Sequence, residues 1–353
     1  MNMLQDSTSS LTLTLSQRER ELSPSPDAAP LVDVNLITYN HEKYVAQAIE
    51  SVLVQETDFR FRLIVGDDCS TDQTQAIVRS YAQNYPDRIM LFLDDQHRGL
   101  RSRDRAGLKA LSLSTAKYVA WLDGDDFWTD AKKLQKQVDV LESDPGIAIC
   151  FHNVKTFHQQ GDLASENLRP PDQKEVSVLE DLLKGNFIPS CSVMFRRDAL
   201  GELPEWYFTL KMGDWPLYIL IARQGRIRYL NEIMAAYRVH GGGSWSPRQR
   251  THHDVNFLQM LDHVNRHFDF KFKNEIDATK SRYYFELAES YYERGHPKQA
   301  LVPIKRGLKS SRFRHRGLLS FYLQVKAPHI YNSLRSLRNI LRPQRSDNPD
   351  VVR

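Results

Sequence analysis

Tyr118-Val119-Ala120-Trp121-Leu122-Asp123-Gly124-Asp125-Asp126 runs five mostly apolar residues into a glycine flanked by aspartates. A short apolar run of this kind suits a buried strand, so three carboxylates are delivered together at a strand end. Carboxylates that close repel one another unless a cation joins them. Hard carboxylate oxygens of this kind suit Mg²⁺ or Mn²⁺. Helix capping, with Asp126 or Thr129 starting a helix over 132–141, would use one aspartate and leave the others unexplained.

Upstream, the pattern repeats. Residues 31–38 form a β-branched run ending in Tyr39-Asn40-His41, after which Val45, Ala48, Ile49, Val52 and Leu53 recur at helical spacing. A second run, 62–66, stops at Asp67-Asp68-Cys69-Ser70-Thr71-Asp72, where Ser70 or Thr71 is placed to cap a helix carrying Ala76, Ile77, Val78 and Tyr81. Ile89–Leu93 reads as a third strand and Ala106–Leu113 as a third helix. Strands alternating with helices predict an α/β fold, a doubly wound, mostly parallel sheet with helices on both faces. Ligands of such sheets lie beyond the carboxyl ends of the strands, where all three polar clusters fall.

Downstream, residues 147–154 and 190–196 read as strands around a loop at 159–174, and 214–223 as a helix. A last strand lies within 229–237, before Gly241-Gly242-Gly243. The predicted organisation is a disordered leader at 1–29, an α/β domain at 30–250, a helical basic extension at 251–346 and a tail at 347–353. Within the extension, Tyr284, Leu287, Ala288, Tyr291, Gly295, Ala300, Ile304 and Gly307 match the spacing of one tetratricopeptide-like hairpin over 283–310, although Arg312 stands at the late proline position. An ordinary amphipathic hairpin fits the same residues.

The 353 residues, 41% hydrophobic, suffice for one α/β domain and a smaller appendage. No 18 apolar residues run together and no apolar core follows a basic start, which favours a cytoplasmic protein. Cys69, Cys150 and Cys191 are too few for a disulfide framework or a zinc site and read as reduced core residues. Thirteen Lys and Arg lie between Arg294 and Ser346 without one acidic residue, leaving 35 basic against 44 acidic elsewhere. That tail suits an anionic membrane surface better than nucleic acid, with a solvated basic face as the plain alternative.

Residues 34–40, 65–72 and 122–126, in that order and spacing, resemble family 2 glycosyltransferases of the GT-A fold over roughly residues 31–250. The resemblance implies an inverting, metal-assisted transfer from a nucleotide-diphosphate sugar, UDP type favoured, to a glycan, lipid-linked or protein-linked hydroxyl. It implies that Thr38, Tyr39 and Asn40 meet the nucleotide with Asp67, that Asp68 holds its base, and that Asp123 and Asp125 form an Asp-x-Asp signature. Asp125, Asp126 and His240 are the metal candidates, with Mn²⁺ or Mg²⁺ as cofactor. Asp214, in Gly213-Asp214-Trp215-Pro216, matches the base-bearing helix of the family, though it could also cap that helix. Arg238 is expected at the diphosphate, and Trp245 in a glycine-hinged lid. Between Gly99 and Ala110 the chain departs from the family, offering Arg101, Arg103, Asp104 and Arg105 where an Asn is common.

Two other readings compete. A sugar-phosphate nucleotidyltransferase would need a glycine-rich phosphate loop after the first strand, and Thr38-Tyr39-Asn40-His41-Glu42 has no glycine. An inactive GT-A scaffold acting through the hairpin would not need to keep Asp68, Asp125, Asp126 and Asp214 together.

Overall fold

Val32–Thr38 (β1) is buried along nearly its whole length, as expected for a central strand covered on both faces. It pairs in parallel with Phe61–Asp67 (β2, after helix α1, Val45–Leu53) and with Tyr118–Asp123 (β4). Thr74–Asn84 (α2) leads to Ile89–Leu93 (β3), parallel to β2, and Ala106–Leu113 (α3) leads into β4. This computed structural model describes residues 29–97, 106–158, 172–240, 250–310, 316–327 and 329. Residues 1–28 of the predicted leader, most of the 159–174 loop, Gly99 to Arg105, Gly241-Gly242-Gly243, Trp245 and the 347–353 tail lie outside them.

Past β4 the sheet changes character. Phe127–Trp128 (β5) and helix Lys133–Ser143 (α4) precede the long strand Ile147–His158 (β6). Val176–Ser177 (β7), the short helix Leu179–Leu182 (α5), Met194–Arg196 (β8), helix Asp214–Ala222 (α6) and Arg226–Val239 (β9) complete the first unit. The order is β3-β2-β1-β4-β8-β6-β9-β5, with β7 also on β9. The strands β3 to β4 are wholly parallel, whereas β8 runs antiparallel to both β4 and β6. Residues 190–192, expected in a strand, instead form a 3-10 turn, leaving only three residues for β8.

Local caps also differ from expectation. Helix α2 starts after Gln73 with no side-chain cap; Asp72 Oδ1 accepts the Thr74 N–H at 2.9 Å, while Ser70 serves the loop before it. Helix α4 starts after Lys132, whose N–H is bonded by Asp130, so neither Asp126 nor Thr129 is spent on capping. Cys150 and Cys191 are buried and free, but Cys69 is a partly exposed loop residue at φ +60°.

The chain divides into two compact units, Met1–Ser246 and Pro247–Arg353. In the second, helices Arg250–His267 (α7), Lys273–Glu293 (α8), Pro297–Ser310 (α9) and Arg316–Lys326 (α10) follow one another. Ala288, Ala300, Ile304, Leu318 and Phe321 form a shared apolar core. Gly307 permits the close approach: a Cβ there would stand 2.7 Å from Leu318 Cδ1 and 3.0 Å from Tyr284 Cβ. Gly295 turns the chain out of α8 at φ +78°, a conformation glycine takes at little cost.

Candidate active site

The parallel register sets Thr38 level with Asp67, and Ile37 level with Asp123, so three strand ends open onto one edge. Two loops are stapled there. Asn40, at φ +54°, donates its N–H to Ser70 Oγ at 2.8 Å, and its Oδ1 accepts the Thr71 N–H at 2.8 Å. Glu42 N–H donates to Asp72 Oδ2, and Gln73 N–H returns to Glu42 Oε2. Asp67 is fully buried beneath this staple, where it accepts from the Ser70 N–H, the Ser70 hydroxyl and Gln75 Nε2. Its part is to position the loop carrying Asp68, because its oxygens are already engaged.

Tyr39 is 38% exposed and stacks on His97, their ring centroids 4.2 Å apart. Asp68 Oδ2 lies 2.9 Å from His97 Nδ1. An aromatic face beside a carboxylate can hold a flat heterocycle by stacking and by one hydrogen bond.

The acidic loop is fixed from below and behind. Gly124 N–H donates to Ile37 O at 2.8 Å, and Asp126 N–H to Asp123 O at 3.0 Å. A side chain at 124 would force its neighbours to move, since a Cβ would lie 2.8 Å from Thr38 Oγ1 and 3.0 Å from His41 Nδ1. Arg238 donates its backbone N–H to Asp126 Oδ1 at 2.7 Å, its Nε to Asp125 O at 2.8 Å and its NH2 to Gln47 at 2.7 Å. Its guanidinium is boxed by the rings of Tyr44, Phe127 and Phe157. At 8% exposure it braces the aspartate loop, where the sequence placed it at the diphosphate.

Asp125 Oδ2 sits 3.0 Å from His240 Nε2 and 3.8 Å from His41 Nε2. Asp126 Oδ2 is buried and has no N–H or O–H partner, and Thr38 Oγ1 and His41 Nδ1 are likewise unpaired. Burial, and next the charge of Asp125, push Asp123 up to about 7, opposed by the Ser190 hydroxyl at 2.6 Å from its Oδ2. The same two causes raise Asp126 well above the usual carboxylate range. Burial lowers His41 against the pull of Asp125. Crowded carboxylates, one oxygen without an N–H or O–H partner and an imidazole at 3.0 Å make a donor set of the kind that suits Mn²⁺ or Mg²⁺. Among the described residues no three His, Cys, Asp or Glu side chains close into a cage, so an ion here would need further ligands from phosphate or water.

Asp214 opens α6, whose other residues are all buried, so the carboxylate stands at the tip of a rigid, immersed helix. Gly213, and not Asp214, is the N-cap residue. Asn186 Nδ2 donates to Asp214 Oδ2 at 2.8 Å, and four residues later Ser190 holds Asp123. One short segment therefore ties Asp214 to the acidic loop, and the charge of Asp214 is felt at Asp123.

His41, His97, Asn186, Ser190 and Gln47 were not singled out from the sequence. His41 was legible as the residue following Tyr39-Asn40, but the others lie in stretches whose pattern carries no chemistry of its own. Trp245 lies outside the described residues, and so do residues 99–105 of the departing stretch between Gly99 and Ala110.

A mixed sheet with an acidic loop at its carboxyl edge is an architecture of the GT-A type. The model of the family described as glycosyl transferase family 2 matches residues 33–203. A Bacillus subtilis protein named "Putative glycosyltransferase EpsE" is 31% identical over 219 residues, covering 60% of this chain and 74% of its own. The chain belongs to glycosyl transferase family 2. An uncharacterized protein of Mycobacterium tuberculosis is 35% identical over 210 residues, 59% of either chain, so the match spans about three fifths of that relative's length. Among solved structures, the mannosyltransferase PcManGT from Pyrobaculum calidifontis, in complex with GDP-Man and Mn²⁺, superposes with a TM-score of 0.51 at 18% identity, covering 94% of both chains. S. aureus TarS in complex with UDP-GlcNAc gives 0.51 at 17% identity, over 83% of this chain and 90% of TarS.

Proposed function

We propose that the chain transfers a glycosyl group from a nucleoside-diphosphate sugar to an acceptor hydroxyl with inversion at the anomeric carbon. The observation that carries this is the Asn186 to Ser190 segment, which holds Asp214 and Asp123 at one edge of the sheet. In this reading Tyr39 and Asp68 receive the base, and Thr38 with Asn40 lines the floor beneath the nucleotide. Asp125, Asp126 and His240 would hold a divalent ion, which when bound neutralises charge building on the leaving diphosphate. Asp214 takes the acceptor proton as the acceptor oxygen bonds to the anomeric carbon. The bond from that carbon to the diphosphate oxygen breaks on the opposite face, and its electron pair leaves with the nucleoside diphosphate. Asp67 and Arg238 act by holding the two loops in place.

UDP is the favoured nucleotide, and a glycan, lipid-linked or protein-linked hydroxyl the favoured acceptor. The experiment is a screen of UDP-, GDP- and dTDP-sugars with Mn²⁺, reading thermal stabilisation and then transfer, with the product anomer assigned by NMR. Retention of configuration would remove Asp214 from its role.

The second unit we read as a helical extension with a tetratricopeptide-like hairpin, its basic end suited to a peripheral contact with anionic lipid. No described helix is long and apolar enough to cross a membrane. Leu318 and Phe321 of α10 are buried in the helical core, while Leu319 between them is 55% exposed. Each basic residue near an anionic surface is worth about 1 kcal/mol. Cosedimentation with phosphatidylserine vesicles at 20 and 500 mM salt, for the full chain and for a chain ending at Ala327, tests this without cutting the core. Salt-insensitive or absent binding rejects it.

A further inference from the structure

The segment after β3 crosses the carboxyl end of β2, Asp94 N–H donating to Asp67 O at 2.9 Å, and brings His97 over the loop that follows β1. There its imidazole lies nearly flat on Tyr39, at 4.2 Å and 26°. Nδ1 reaches Asp68 Oδ2 at 2.9 Å and Asp68 O at 3.1 Å. Both oxygens can only accept, so Nδ1 carries a proton. A flat ring resting on Tyr39, with an in-ring N–H aimed at Asp68, reproduces the two contacts that a nucleobase such as uracil or guanine would make there. Slipping a base between the two rings would need two van der Waals gaps, about 7 Å in all. At 4.2 Å there is no such room.

We propose that His97 is an internal occupant of the nucleobase place, which the donor's base must displace before it can stack on Tyr39 and bond Asp68. This rests on the reading of Tyr39 and Asp68 as the base site. The His97 side chain is 49% exposed, so it can swing outward into water without disturbing the core. The exchange trades one stack and one hydrogen bond for another of each kind, which lowers the affinity for the base and leaves the diphosphate contacts untouched.

Calorimetric titration of the full chain with UDP, GDP and pyrophosphate, each with Mn²⁺, tests the idea. His97→Ala removes the competitor and should tighten the nucleotide that binds by roughly threefold to thirtyfold, since an aromatic pair and a hydrogen bond each carry a few-fold. Pyrophosphate affinity should stay the same. His97→Phe, which can stack but has no N–H, should fall between the two. Unchanged or weakened nucleotide binding in His97→Ala overturns the proposal while the base site stands. The base site itself is checked by Tyr39→Ala and Asp68→Ala, each of which should weaken nucleotide but not pyrophosphate. If neither does, the base-site reading and the displacement by His97 fail together.

Discussion

Strands β1 and β4 lie side by side, and the carboxylates at their two ends are treated in opposite ways. At the amino end of β1, Asp33 is fully buried and completely satisfied. It accepts from Arg62 Nε at 2.9 Å and NH2 at 3.1 Å, from Ser114 Oγ at 2.8 Å, and from the N–H groups of Thr115 and Ala116. At the carboxyl end, Asp123, Asp125 and Asp126 crowd together, and one Asp126 oxygen has no N–H or O–H partner. One end spends its carboxylate on folding and the other stores repulsion that a cation would relieve. A buried charge that is fully paired belongs to the scaffold, whereas under-satisfied charges in a cluster are candidates for a ligand site.

The contrast can be broken in several ways, and the largest effect is expected in catalysis. Asp214→Asn should lower turnover roughly a hundredfold to ten-thousandfold while donor affinity holds, because it removes a base and no donor contact. Calorimetry and steady-state transfer separate the two. Retained turnover would take Asp214 out of the mechanism.

Matched substitutions at the two ends come next. Asp33→Asn should destabilise the protein by about 3–5 kcal/mol, since it strips the charge from a buried, hydrogen-bonded pair and leaves Arg62 without its counter-ion. Asp123→Asn at pH 8 should cost nothing or stabilise slightly, and should impair nucleotide binding with Mn²⁺. Urea unfolding of both variants decides. Equal losses would abolish the distinction between scaffold and site.

The pH dependence follows from the raised Asp123. A carboxyl whose folded value is about 7, against 3.8 unfolded, binds its proton more tightly when folded. Its contribution is therefore present below about pH 4 and is lost as pH rises towards 7. In chelator, melting should fall across that window by more than in Asp123→Asn, and Mn²⁺ with nucleotide should flatten the slope. A slope the same in both proteins would assign it to other groups.

The smallest effect is expected at Gly124. Gly124→Ala must push Thr38 and His41 aside, at a cost of about 1–3 kcal/mol, and should shift the Mn²⁺ requirement more than the melting temperature. An unaltered Mn²⁺ titration would mean that the loop tolerates a side chain.

The sequence by itself determined the strand and helix alternation up to β4, because apolar runs of period two and stripes of period 3.6 are local signals. Ile89–Leu93 and Ala106–Leu113 fall where periodicity puts them. It also determined which clusters share an edge, since parallel strands joined by right-handed crossovers send their carboxyl ends to one side. Only the tertiary structure decided that β8 reverses, that Asp67 is buried under its own loop and that Arg238 braces the aspartates. It alone brought Asn186 to Asp214, Ser190 to Asp123 and His97 to Tyr39. Those pairs join residues 28, 67 and 58 positions apart, and no local pattern encodes them. A hydrogen bond or a stack across the fold depends on which side chains packing leaves within about 3–4 Å, and that is settled only when the whole sheet has closed.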